Sequence, residues 1–171
     1  EAHLVARYVV IGSAERMQWG IDVCGLGAAL TINVVDRPES ITPNNTGTVD
    51  VYSPFEVALA KIETGVVSAE AGRCAAEWVI AATKLAVAGR IDAIATAPLN
   101  KEAMHLGGYK YGGHTELLRD YSSAKISRLC LADPRGITVV HATCHIPVSG
   151  MCGECARRFL SDFACAHATA V

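Results

Sequence analysis

The order in which strand-like and helix-like segments follow one another limits this chain more than any other feature of its sequence. Residues 7–11 (RYVVI) are a short β-branched run ended by Gly12-Ser13, and Ser13 is a good N-cap for a helix from residue 14 to about 24 that Gly25 would stop. Residues 30–35 (LTINVV) read as a second strand. Residues 36–47, rich in Pro, Asn, Thr and Ser, read as a loop, with a further short strand near 49–52. Over residues 68–87 the pattern turns helical, with Ser68 as N-cap, Ala75, Val79, Ala82 and Ala86 as one apolar stripe, and Gly89 closing it. Residues 92–96 (DAIAT) read as a buried strand, and Pro98 leads into a short helix at 100–105. Strand, helix and strand in this order imply parallel crossovers and the α/β class. Residues 128–132 and 137–141 flank Asp133-Pro134-Arg135-Gly136, the chemistry of a tight turn, and are expected to form an antiparallel hairpin. A helix is expected over 152–171.

With 171 residues, 51% of them apolar, the chain can bury one real core, so one globular domain or a large piece of one is expected. Fifteen Lys and Arg against 17 Asp and Glu leave a formal charge of -2 with no basic block, which sets aside nucleic acid and anionic membrane surfaces as partners. The charge-free stretch 23–35 is too short for a membrane span, and 136–153 is broken by two His and a Pro, so the chain reads as soluble. Seven cysteines, an odd number scattered through apolar or alanine-rich segments, fit a reducing cytoplasm better than a disulfide scaffold.

Three polar clusters interrupt the apolar background, each just after a predicted strand or its turn, where open α/β sheets place ligands. In the first, Thr96-Ala97-Pro98-Leu99-Asn100-Lys101, a Lys at a helix start would meet a phosphate or carboxylate together with free backbone N–H groups. Taken alone, it reads more simply as a capped turn with Lys101 a solvated surface charge. The second runs from Gly107 to Glu116 (GGYKYGGHTE): paired glycines let backbone approach a ligand, and His114-Thr115 offers one titratable group and one hydroxyl. A flexible loop capped by Thr115 explains the glycines equally well, though not the imidazole. Neither G-x-G-x-x-G nor G-K-[ST] occurs, so no dinucleotide fingerprint or phosphate-binding loop is recognised. In the third, residues 139–147, a strand continued to His145 would put His141, Thr143 and His145 on one face, a metal half-site. Cys152-Gly153-Glu154-Cys155 adds a C-x-x-C pair, so a zinc site of His145, Cys144 and both thiolates is a competing arrangement.

Together, TAPLNKEAMHLGGYKYGGHTELL (96–118) and LADPRGITVVHATCHIPV (131–148) closely resemble the 4-hydroxythreonine-4-phosphate dehydrogenase family of vitamin B6 biosynthesis. The resemblance rests on the order and spacing of T-[AG]-P-x-x-K, G-H-T-E and T-x-H-[IL]-P, and with VVIGSAERM and the 68–89 helix it runs from about Val9 to Val148. It implies an α/β subunit with the fold of isocitrate and isopropylmalate dehydrogenases, paired as a homodimer, cytoplasmic, and using NAD and a divalent metal (Zn, Mg or Co). By resemblance, His114 and Thr115, with Lys101 beside them, would contact a small phosphorylated substrate, and His145 would be one of three metal-holding histidines. The family's N-P-H-A-G-E, Y-H-D-Q-G and G-[DE]-P-[AG]-G-I-G-P motifs do not occur, so residues 1–171 are expected to be a single incomplete α/β unit lacking N- and C-terminal family segments, and inactive alone. The sequence assigns no catalytic residue and no nicotinamide contact. The implied reaction is oxidation and decarboxylation of 4-phosphohydroxy-L-threonine, with D-erythronate or D-threonate 4-phosphate, or a non-catalytic anion-binding module, as alternatives.

Overall fold

Val10-Ile11 and Thr48–Tyr52 are β-branched runs that cannot hydrogen-bond alone, and in the computed structural model they pair in one parallel sheet. The structure describes residues 6–41, 47–59, 62–141, 147 and 149. Its elements are β1 (Val10–Ile11), α1 (Ala14–Val23), β2 (Thr31–Val34), β3 (Thr48–Tyr52), α2 (Ala69–Val87), α3 (Lys101–Leu106), α4 (His114–Tyr121), β4 (Cys130–Ala132) and β5 (Thr138–Val140). The chain divides into two units, Glu1–Lys125 and Ile126–Val171.

In the first unit the strand order is β1-β3-β2, all parallel, with Val10 opposite Val51 and Val34 opposite that same Val51 from the other side. Val51 is fully buried as a result. The segment read from sequence as merely a further short strand is thus the centre of the sheet. Ser13 caps α1 as expected, its hydroxyl accepting from the Arg16 amide at 3.2 Å. Ser68 does the same for α2 through the Ala71 amide.

Helix α2 packs on β1, α3 and α4, and its face decides where the core sits. The expected stripe of Ala75, Val79, Ala82 and Ala86 is displaced: Gly72, Ala76, Ile80 and Thr83 are buried with Cys74, Ala82 and Leu85, while Ala75, Val79 and Ala86 are half-buried. The displacement follows from α2 having three partners, since β1, α3 and α4 together cover a wider arc than a single stripe fills. Ala76, Ile80, Met104 and Leu117 form the core cluster, with Leu99, Tyr109, Tyr111 and Tyr121 packed against it. Burying Met104 and Leu117 completely contributes about 1.5–3 kcal/mol each relative to exposure. Gly72 lets α3 lie directly on the backbone of α2, because a Cβ there would overlap the carbonyl of Ala103.

The strand expected over 92–96 does not form: residues 93–100 are irregular, and Ala93, Ala95 and Thr96 are exposed. Mostly small side chains there offer little area to bury, and the segment joins neither sheet among the described residues.

In the second unit the expected hairpin is present, with Cys130 opposite Val140 and Ala132 opposite Thr138. Asp133 closes its turn by accepting from the Gly136 amide through its carbonyl (2.9 Å) and from the Arg135 amide through its carboxylate (2.8 Å). The continuation to His145 and the helix over 152–171 lie outside the described residues. Among the described residues no helix is long and apolar enough to cross a membrane.

Candidate functional site

Asn100 sets the first half of the site. Its side-chain oxygen accepts from the Ala103 amide at 2.9 Å, so α3 starts at Lys101 and its ammonium projects from the first residue of the helix. Lys101 is exposed and makes no hydrogen bond or ion pair among the described residues. The other half is the start of α4, where the cap is Gly113, so the alternative of a loop capped by Thr115 does not hold. Gly113 is extended and has no side chain with which to cap α4, and the Leu117 amide donates to the Gly113 carbonyl at 3.3 Å. His114, half-buried, and Thr115, exposed, are the first two helical residues.

The two helix starts converge. A Cβ built on Gly113 would lie 3.7 Å from Lys101 Cε and 3.9 Å from Glu116 Oε2, so lysine and glutamate flank the same spot in front of the first turn. The convergence brings Lys101 beside Gly113, the residue that precedes His114 and Thr115. The Lys101 side chain thus stands before the N-terminus of α4, where the partial positive end of the helix dipole favours an anion. Glu116 opposes an anion there, since its carboxylate lies on the same side.

The glycine-rich link between α3 and α4 is pinned by residues the sequence reading singled out only as tyrosines flanked by glycines. Tyr109 donates its hydroxyl to Glu77 Oε1 at 3.3 Å, and Tyr111 donates its hydroxyl to Asp120 Oδ2 at 2.6 Å. His105 Nε2 bonds the Tyr111 carbonyl at 2.8 Å, and Lys110 donates to the His105 carbonyl at 2.9 Å. The hydrogen bond to Asp120, and secondarily burial, push the Tyr111 phenol up to about 12. Behind them, Arg73 makes two bonds to Glu70 (2.7 and 3.0 Å) and one to Glu77 (2.6 Å). The signal available in sequence was that two aromatic residues stand in a chain with only 6% aromatics.

His145, the implied metal ligand, and Cys144, Cys152 and Cys155, the competing zinc ligands, lie outside the described residues. Among the described residues no group of three or more His, Cys, Asp or Glu is arranged to hold a metal ion. A cavity of about 290 Å³ lined by Glu15, Arg16, Trp19 and Leu59 lies apart from Lys101 and His114, along α1. Arg16 is already engaged there, donating to the Ile62 carbonyl and the Thr64 hydroxyl.

The first unit is of the mixed α/β class, with two helix starts meeting at Lys101 and Gly113. The model of the family described as pyridoxal phosphate biosynthetic protein PdxA matches residues 4–169, and the chain belongs to that family. It is 38% identical over 141 residues to a D-threonate 4-phosphate dehydrogenase of Bordetella bronchiseptica, covering 82% of this chain and 39% of that protein. A 4-hydroxythreonine-4-phosphate dehydrogenase of Prosthecochloris aestuarii is 34% identical over 139 residues, covering 81% and 40%. Among solved structures, a 4-hydroxythreonine-4-phosphate dehydrogenase from Klebsiella pneumoniae superposes with a TM-score of 0.77 at 31% identity, over 85% of this chain and 43% of that one. Another of that name from Burkholderia phymatum gives 0.76 at 34% identity, over 87% and 44%. The chain thus spans about two fifths of the length of the curated relatives it matches.

Proposed function

We propose that the chain is part of an NAD- and divalent-metal-dependent dehydrogenase that oxidises and decarboxylates a 4-phosphorylated hydroxy acid, 4-phosphohydroxy-L-threonine of vitamin B6 biosynthesis being the leading substrate. The observation that carries this reading is the convergence of Lys101 with the start of α4 in a chain of the PdxA family. In this reading the Lys101 ammonium, the first α4 amides, and the Thr115 and His114 side chains hold the substrate's phosphate by charge-assisted hydrogen bonds. That grip anchors a group remote from the reacting carbons, and binding energy spent there orients them. Glu116 keeps the corner near neutral when it is empty, favouring release of the anion.

Family membership supports NAD as hydride acceptor and a divalent metal (Zn, Mg or Co) that stabilises the developing oxyanion, with His145 proposed as one ligand. It likewise supports the fold of isocitrate and isopropylmalate dehydrogenases, a cytoplasmic homodimer, and residues 1–171 as one incomplete α/β unit of a longer subunit. A second substrate reading has its own support: relatives named D-threonate 4-phosphate dehydrogenase, from Bordetella bronchiseptica and Pectobacterium atrosepticum, are 38% and 35% identical.

The test is NAD reduction with 4-phosphohydroxy-L-threonine, D-threonate 4-phosphate and D-erythronate 4-phosphate, with Zn²⁺ or Mg²⁺ added. It is run on the 171-residue chain and on a version extended with family segments at both ends. Turnover is expected from the extended protein and none from the chain alone. Turnover by neither would replace the dehydrogenase reading with a non-catalytic anion-binding module.

A further inference from the structure

We infer that Tyr111 is a positioning residue: through its phenol on Asp120 and its carbonyl on His105, it ties the end of α3 to α4 and fixes Lys101 against the first turn of α4. The link from Gly107 to Gly113 holds four glycines in seven residues, the most flexible composition available for setting the distance between two binding groups. Left to itself it would let α4 start anywhere within reach of a short loop.

The structure removes that freedom from one side. Tyr111 packs its ring on the Ala76–Ile80–Met104–Leu117 cluster and lies 6.4 Å from the Tyr121 ring, tilted by 60°. Its hydroxyl reaches Asp120 on α4, and its carbonyl is held by His105 in the last turn of α3. The contact with Asp120 is short and charge-assisted, a class of hydrogen bond stronger than a neutral one. One residue thus touches both helices, two positions before Gly113, on which Lys101 Cε closes. The other side of the link, Gly112 and Gly113, carries no side chain of its own and faces the Glu116 carboxylate, so the geometry of the corner is set from behind.

This inference deepens the phosphate reading of that corner and rests on it for one of its two readouts. In the 171-residue chain, Tyr111→Phe keeps the ring in the core and deletes only the bond to Asp120, whereas Asp120→Asn keeps an acceptor for the phenol. The first readout needs no ligand: the NOE between Lys101 Hε and Gly113 Hα is expected in the parent chain and in Asp120→Asn, and is expected to fade in Tyr111→Phe. The second is the dissociation constant for inorganic phosphate, expected to rise about three- to ten-fold in Tyr111→Phe and to stay near the parent value in Asp120→Asn. An NOE undiminished in Tyr111→Phe would overturn the inference, as would equal loss in both variants. If phosphate binds none of the proteins while the NOE behaves as expected, the tether stands and the phosphate reading falls.

Discussion

Gly72→Ala reverses the usual sign of a glycine-to-alanine change in a helix. In an open helical position the substitution stabilises by up to about 1 kcal/mol, because alanine loses less backbone entropy on folding. Gly20 in α1 is such a position, with nothing within 4 Å of an added Cβ. At Gly72 the added carbon would overlap the Ala103 carbonyl and stand 2.5 Å from the Met104 amide nitrogen, all backbone, so no side chain can swing aside. Helix α3 would have to withdraw by roughly 1.5 Å to restore ordinary contact, yet just past its end Tyr109 is bonded to Glu77 of α2 and Gly107 lies against the backbone of Arg73 and Ala69. Withdrawal also unpacks Met104, which is fully buried. Overpacking of this kind costs about 3 kcal/mol, leaving a net destabilisation of about 2 kcal/mol against the propensity gain. Urea denaturation followed by circular dichroism on Gly20→Ala and Gly72→Ala measures both. The midpoint should rise in the first and fall in the second. A rise in both would refute the close approach of α2 and α3, and with it the placement of Lys101 one turn away.

Other perturbations are expected to act as follows. Leu117→Ala, which opens a void at the centre of the helical core, should cost about 2–5 kcal/mol by the same denaturation assay. Ser68→Ala, deleting the cap of the longest described helix, should cost about 1 kcal/mol, with Ser68→Asp close to neutral. The hydrogen bonds from Arg90 hold the Glu39 carboxyl well below the ordinary carboxylate range, at about 2, so the pair stabilises the fold above that range and loses the contribution as the pH falls toward 2. Carbon-detected NMR titration should find Glu39 low in the parent and back in the ordinary carboxylate range in Arg90→Ala.

Local signals carried most of the fold. Ser13 and Ser68 announced their helices because capping is a contact between near neighbours, and Asp133-Pro134-Arg135-Gly136 announced its hairpin for the same reason. What needed tertiary information was misread. Residues 92–96 look like a strand only until one asks what they would pair with. The buried face of α2 is displaced because two helices and a strand, α3, α4 and β1, lie on it. The sequence offered Lys101, His114 and Thr115 as candidates by residue type, but gave nothing of their geometry. Nothing in the spacing says that Gly113 closes on Lys101 Cε, or that Tyr111 reaches forward to Asp120 and back to His105.

The convergence of two helix starts on one anion is tested most directly by titrating the isotopically labelled 171-residue chain with inorganic phosphate and following its amide resonances. Residues 112–116 are expected to shift in a saturable manner at millimolar phosphate, with Lys101→Ala and His114→Ala each weakening the response while leaving the spectrum of α2 intact. Absence of any shift at those residues, or shifts of equal size in the parent and in Lys101→Ala, would contradict it.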